Sequence, residues 1–343
     1  MLSLFYRSAA FMCISGLIFA CTRPVAEDRR TTSQDSLEQA STGSAAVLSD
    51  EKKDNSARYQ QYLLHLVHNN PSEKWPAYGA VPPEGALLPY HRVLAFYGNL
   101  YTPAMGVLGI PEEEMLARLK EETARWQQAD TMIPVLPALH YIAVTAQEDP
   151  GPSGKYRLRM PKEQIDKVLT MAHQQKTLLF LDVQVGLSTL QDELPLLETY
   201  LRLPEVHLGI DPEYSMKHLQ VPSSSIGTFD AADINYAITF LSDIVKRYNL
   251  PPKILVVHRF TQAMLTNYKD IKKVPEVQVV INMDGFGSPA KKIDSYTGFV
   301  AREPVQYTGF KLFYKVDPKT GKRLMRPEEV LALYPSPVYI QYQ

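Results

Sequence analysis

The sequence predicts a single (β/α)8 barrel of the TIM type, and three observations carry that reading. Short apolar runs of strand length recur at 93–99, 133–144, 178–186, 206–213, 254–258, 277–284, 310–316 and 338–343. Most gaps between them hold a stretch with helical periodicity, and alternating strand and helix signals mean a parallel sheet. Nearly every run ends in a polar residue. In a barrel of this class the chemistry sits where strands end, so those residues mark where to look.

The connecting segments support the pattern in order. Residues 57–70 place Tyr62, Leu63, Leu66 and Val67 on one helical face, suited to closing the bottom or side of the barrel. Pro111 followed by Glu112, Glu113 and Glu114 is a helix start with acids in its first turn, and that helix runs to about 129. Pro161 with Glu163 opens the next, through about 175. Residues 192–201 and 230–248 read as two more, the latter with Ile234, Ala237, Ile238, Leu241 and Ile244 on one face. Helices are also expected over 261–272 and 326–333, with an irregular stretch over 288–309.

The first residues read differently. Arg7 precedes a short apolar run, 9–20, too short to span a bilayer comfortably. The end of that run, Ile18-Phe19-Ala20-Cys21, resembles a bacterial lipoprotein signal. The resemblance implies cleavage before Cys21, lipidation of Cys21 and a membrane partner through that lipid. Thr22, rather than Asp, implies export toward the outer membrane, so the expected location is the cell envelope, facing either side. Residues 21–57 are polar and nearly free of large apolar side chains, which reads as a flexible tether. The expected organisation is therefore 1–20 signal, 21–57 tether and 58–343 barrel with an N-terminal helical extension.

Composition narrows the function. The cysteines are Cys13 and Cys21, so loss of one and lipidation of the other leave no disulfide, thiol nucleophile or thiolate metal site. A formal net charge of −1 without a basic block argues against nucleic acid as a partner. No phosphate loop, dinucleotide fingerprint, H-E-x-x-H or G-x-S-x-G occurs. Neither cofactor nor metal is expected, and a monomer is.

Strand parity then orients the side chains. In a parallel barrel the outer face meets helices and is continuously apolar. Leu179, Leu181, Val183 and Val185 form such a set, which turns Phe180, Asp182 and Gln184 inward. The same rule turns Gly209, Asp211 and Glu213 inward, as well as Gln278, Val280, Asn282 and Asp284. Val338 and Ile340 face out, leaving Tyr339 and Gln341 inside. The first strand offers Ala95, Tyr97 and Asn99, and the fifth offers His258. His140 and Tyr314 are candidates on strands whose faces are not distinguished by pattern. The substrate-binding set is thus Tyr97, Asn99, His140, Gln184, His258, Asn282, Tyr314 and Gln341. The acids Asp182, Asp211, Glu213 and Asp284 are the catalytic candidates, since inward carboxyls are costly unless the upper barrel opens to solvent or ligand.

Paired carboxyls suit glycoside hydrolysis, which needs one protonated acid at the leaving oxygen and one ionised group near the anomeric carbon. Glu213, lying furthest out, is the expected general acid. Asp211 or Asp182 is expected to raise its pKa by like-charge repulsion. Asp284 would stabilise charge or act as nucleophile. Gly285-Phe286-Gly287 allows a tight turn or a close approach to ligand.

Gly209-Ile210-Asp211-Pro212-Glu213 resembles the end of the Asp-x-Glu signature of family-18 chitinase-like barrels, and Met283-Asp284-Gly285-Phe286-Gly287 is similar to their sixth-strand segment. The resemblance implies Glu213 as acid and Asp211 as its partner. The signature's first Asp, the Tyr before the sixth-strand Asp and an eighth-strand Trp are absent. Sequence reasoning thus leads to an envelope glycoside hydrolase with a carbohydrate substrate. Its alternatives are a metal-dependent hydrolase using His140, Asp182, Asp211, Glu213, His258 and Asp284, or a non-catalytic glycan-binding lipoprotein.

Overall fold

The computed structural model describes residues 55–343, except Tyr78. The signal, Cys21 and most of the tether lie outside the described residues. The helix over residues 55–66 already covers the last positions assigned to the tether.

Eight strands form one closed parallel barrel: β1 Arg92–Gly98, β2 Val135–Ala146, β3 Leu178–Val183, β4 Val206–Ile210, β5 Lys253–Arg259, β6 Val277–Met283, β7 Tyr307–Leu312 and β8 Tyr339–Tyr342. Each pairs in parallel with its neighbours in sequence, and β8 pairs with β1 to close the ring. A short strand, Arg157–Arg159, adds antiparallel to the end of β2.

The connecting helices follow their sequence signals where packing agrees. Helix α1, Glu112–Ala129, starts after Pro111, and α2, Lys162–Gln175, starts after Pro161. Helix α3, Ala231–Tyr248, opens on an Asp230/Asp233 capping box and ends with Asn249 in the left-handed region. Between β3 and β4 the expected single helix is broken into Leu190–Glu193, a 3-10 segment Leu194–Leu197 and Glu198–Leu201. Pro195 lacks the amide that a continuous helix would use there. Helix α4, Pro289–Ser295, runs into a π-helical turn, Tyr296–Ala301, and α5 spans Pro327–Leu331.

The helix expected over 261–272 does not form. Arg259, buried at the end of β5, takes the carbonyls of Thr261, Gln262 and Leu265, which a helix would need for its own amides. Leu265–Thr266 instead pairs in parallel with Phe229–Asp230.

The inside-out pattern follows from alternation. Leu179, Leu181, Val183, Val206, Leu208, Ile210, Leu255, Val257, Val279 and Ile281 join the helices in the outer core. Ala95, Phe180, Ile254, Val256, Val280 and Tyr339 fill the inside. Val338, expected to face out, sits with the inner set because it precedes β8, at the bottom of the barrel. There Tyr59, Leu63 and Leu66 of the N-terminal helix pack with Leu88, Val93 and Tyr307 and close that end. Gln278 secures the closure by accepting from the amides of Leu87 and Leu88 at 3.1 and 3.0 Å.

Candidate active site

The upper half of the barrel interior is polar and organised around Asp182, which is fully buried. Its Oδ2 accepts from the Tyr97 hydroxyl at 2.9 Å. Its Oδ1 lies 3.1 Å from His140 Nε2 and 3.3 Å from His258 Nε2. His258 Nδ1 is 2.9 Å from Asp284 Oδ2, and Asp284 Oδ1 is 2.8 Å from Lys311 Nζ. The Lys311 ammonium in turn lies 3.9 Å from the Tyr97 ring centroid. Tyr97, Asp182, His258, Asp284 and Lys311 thus form a closed circuit of contacts drawn from β1, β3, β5, β7 and the residue following β6.

The backbone makes room for this circuit. A Cβ at position 209 would lie 2.3 Å from Asp182 Oδ1 and 2.4 Å from His140 Nε2, so only Gly209 lets the pair reach the β4 backbone. On its other nitrogen, His140 meets the Tyr339 hydroxyl at 2.5 Å and Gln341 Nε2 at 3.1 Å.

Burial and charge decide the protonation states. Burial holds His140 down at about 4, despite Asp182, so its imidazole is neutral. Burial alone would also lower His258, but Asp182 and Asp284 overturn that and hold it up at about 10, as an imidazolium. Burial would raise Asp182 and Asp284. His258 and His140 pull Asp182 well below the usual carboxylate range, and Lys311 and His258 lower Asp284. The opposite holds for the other two acids. Burial raises Asp211 well above its ordinary value, and Glu213, Asp182 and Asp284 add to it against His258. Burial, then Asp284, pushes Glu213 up to about 7, with Lys311 and His258 opposing.

Above the circuit lies an open cleft of about 650 Å³ whose lining includes Tyr97, Gln184, Asp211, Glu213, Tyr214, Phe260, Asp284, Phe286, Lys291, Phe299, Lys311 and Phe313. Of the residues expected from the sequence, Glu213, Asp211, Asp284, Tyr97 and Gln184 reach it. Gln184 bridges two of them, donating to Asp211 Oδ2 and to the Tyr97 hydroxyl, each at 3.3 Å.

The remaining expected residues are placed otherwise. Asp182, His140, His258, Asn282 and Gln341 lie beneath the cleft without lining it. Asn99 ties down the loop after β1 through Met105 Sδ and the Tyr101 amide. Tyr314 is outside the barrel, stacked on Tyr342 at 4.8 Å, edge-on to Phe96 and beneath Arg118. Asp211 and Glu213 do not share an extended strand face: Pro212–Tyr214 is a 3-10 turn, and Asp211 Oδ1 caps it by accepting from the Glu213 amide at 3.1 Å. Asp284 adds to the repulsion raising Glu213, and Glu213 and Asp211 also repel each other.

Lys311 is the functional residue that the sequence reading missed. β7 begins at Tyr307, three residues earlier than expected, and the alternation Phe310, Lys311, Leu312 points the lysine inward. The aromatic lining contributed by Phe260, Phe286, Phe299 and Phe313 comes from beyond strand ends, where parity is silent.

Among the described residues, one group of side chains has metal-ligand chemistry. His140, Asp182 and His258 bring ligand atoms within 4.8 Å of one another. All three are fully buried, and none lines the cleft. An ion held by the trio would sit beneath the cleft floor, away from a ligand bound above it.

No protein-family description and no curated protein matches the chain. Among solved structures it is similar to a ruminal GH26 endo-beta-1,4-mannanase, at 8% identity and a TM-score of 0.35, over 74% of this chain and 59% of that one. It is similar to a GH5-4 broad specificity endoglucanase from Clostridium longisporum, at 8% identity and a TM-score of 0.36, over 65% of this chain and 75% of that one. It is also similar to a beta-mannanase from a symbiotic protist of the termite Reticulitermes speratus, at 10% identity and a TM-score of 0.37, over 80% and 88% of the two chains. The chain thus spans less than two thirds of the ruminal enzyme's length. The likeness is one of barrel architecture, and no residue role is taken from it. The chitinase-like resemblance finds no support in these matches.

Proposed function

We propose that the chain is a glycoside hydrolase acting on a glycan in the cleft at the carboxyl ends of the strands. One observation carries the reading. Two carboxyl groups, Glu213 and Asp284, face the same cleft with pKa values displaced in opposite directions. An acid held protonated near neutrality beside an ionised carboxylate is what cleavage of an acetal needs. Glu213 gives its proton to the glycosidic oxygen as the bond to the anomeric carbon breaks. Asp284, fixed by His258 and Lys311, stabilises the positive charge that develops at the anomeric carbon, and a water molecule adds there to complete the hydrolysis. Gln184 and Tyr97 hold the cleft floor. We further infer an envelope location, since the Ile18–Cys21 sequence suits lipidation of Cys21.

The test is Glu213→Gln, assayed on glycosides with poor and with activated leaving groups. The expected result is a loss of about 100-fold or more on the unactivated glycoside, with a smaller loss on the activated one, which needs no proton. The half-buried turn should keep its fold, because the replacement is nearly isosteric. Full activity of the variant on the unactivated substrate removes Glu213 from the mechanism. Tight glycan binding by the wild type without turnover makes the protein a binder.

A further inference from the structure

Phe286 stands more than half exposed, at 53%, on the wall of the cleft. Such a ring on a loop tip would ordinarily be free to fold away, but this one is held from both sides. The carbonyl of Gly285, before it, accepts from Lys292 Nζ at 2.8 Å, and the amide of Gly287, after it, donates to Asp317 Oδ1 at 3.0 Å. Lys292 and Asp317 are themselves ion-paired at 2.9 Å and almost fully buried. Asp317 Oδ2 also accepts from the Phe313 amide, and Lys292 donates to the Lys311 carbonyl. Gly287, at φ +148°, adopts a conformation that side chains disfavour. A buried ion pair contributes little net stability, so conformational specificity is the better account of its presence. What it specifies here is the presentation of Phe286 to solvent. Phe313 backs the ring edge-on, with centroids 6.2 Å apart.

The charge beside this ring is also unbalanced. Lys291, exposed in the same wall, lies 5.3 Å from the Phe286 centroid, and among the described residues no carboxylate pairs with it. The other lysine of the cleft, Lys311, is matched by Asp284. Burial raises Asp211 well above its ordinary value, and Glu213 is held up at about 7. The wall therefore offers a flat apolar face next to a cation.

We propose that Phe286 and Lys291 form a subsite at the cleft mouth for a pyranose ring that carries a carboxylate, as in a uronic acid. The apolar C–H face of the sugar covers the Phe286 ring, and the sugar carboxylate meets Lys291. The assignment rests on the glycan reading of the cleft and narrows its substrate class to acidic glycans.

The experiment is calorimetric titration of the full chain with a tetra-uronide and with a neutral tetrasaccharide of matched linkage. Wild type should bind the uronide about fivefold more tightly, a preference suited to one exposed ion pair and lost at about 1 M salt. Phe286→Ala should weaken both ligands by about tenfold, and Phe286→Trp should restore binding. Lys291→Gln should erase the preference and leave neutral binding intact. Melting temperatures of the variants should match wild type, since both side chains are exposed. Equal wild-type affinity for the two ligands, or unchanged binding by Phe286→Ala, overturns the subsite and leaves the hydrolase reading standing. Binding of neither ligand by wild type overturns both.

Discussion

The two halves of the barrel interior are built from the same alternating strands and solve opposite problems. The lower half is filled with Val93, Phe180, Ile254 and Tyr307 and stoppered by Tyr59, Leu63 and Leu66 of the N-terminal helix. The upper half places Asp182, His258, Asp284 and Lys311 in contact and leaves space above them. Apolar burial in the lower half tolerates imprecision, because each contact is weak and non-directional. The charged half does not, because each ion is stable only while its partners hold their places. The lower half contributes stability, and the upper half draws on it to hold charges out of water.

The contrast is sharpest at His258. Replacing it with Leu leaves Asp182 and Asp284 buried without their shared cation. That should cost about 3–5 kcal/mol in urea unfolding, the scale for breaking a buried ion pair. A loss below about 1 kcal/mol would mean that the circuit is not charged as described. In the lower half, Leu63→Ala should cost about 2–3 kcal/mol through the cavity it leaves, while the cleft's kcat and KM stay at wild-type values. A changed kcat would show that the two halves are coupled.

Titration separates the halves further. On the proposed mechanism Glu213 must carry its proton to work, and it is held at about 7. The rate should therefore fall about tenfold per pH unit above roughly pH 7, read as the basic limb of kcat/KM. Stability has its own alkaline loss. His258 is held up at about 10, above the ~6.5 of an unfolded imidazole. Its contribution is complete below about pH 6.5 and drains away as the pH climbs to about 10. A melting temperature that rises across that window would contradict the sign. The smallest expected effect is that of metal. The candidate ligands His140, Asp182 and His258 lie buried beneath the cleft without lining it, so exhaustive chelation should leave both the rate and the melting temperature unchanged. A loss restored by a divalent ion would contradict this.

The barrel was legible in the sequence because continuous outer faces such as Leu179, Leu181 and Val183 can arise only where helices cover strands. Inward direction was legible for the same reason, and it placed Asp182, Asp211, His258 and Asp284 correctly inside. Depth was not legible. Parity says that Asp182 and Asp284 both point inward. Whether each lies under the floor or on it depends on the stagger between strands, which no single strand encodes. Tyr314 and Lys311 were not resolved because the seventh run, taken from Phe310, leaves its two faces undistinguished, whereas the strand itself spans Tyr307–Leu312 and ends before Tyr314. The helix expected at 261–272 failed for a non-local reason: Arg259, outside the segment, claims its carbonyls.

The stopper under the barrel also governs traffic. With Tyr59, Leu63 and Leu66 filling the lower end, the interior is a well with a closed base and one mouth. On the glycan reading proposed above, a product leaves by the open side of the cleft, where Phe286 stands exposed. A product that lingers on that ring would hold the door against the next substrate, so release rather than bond cleavage is a natural place for the turnover rate to be set.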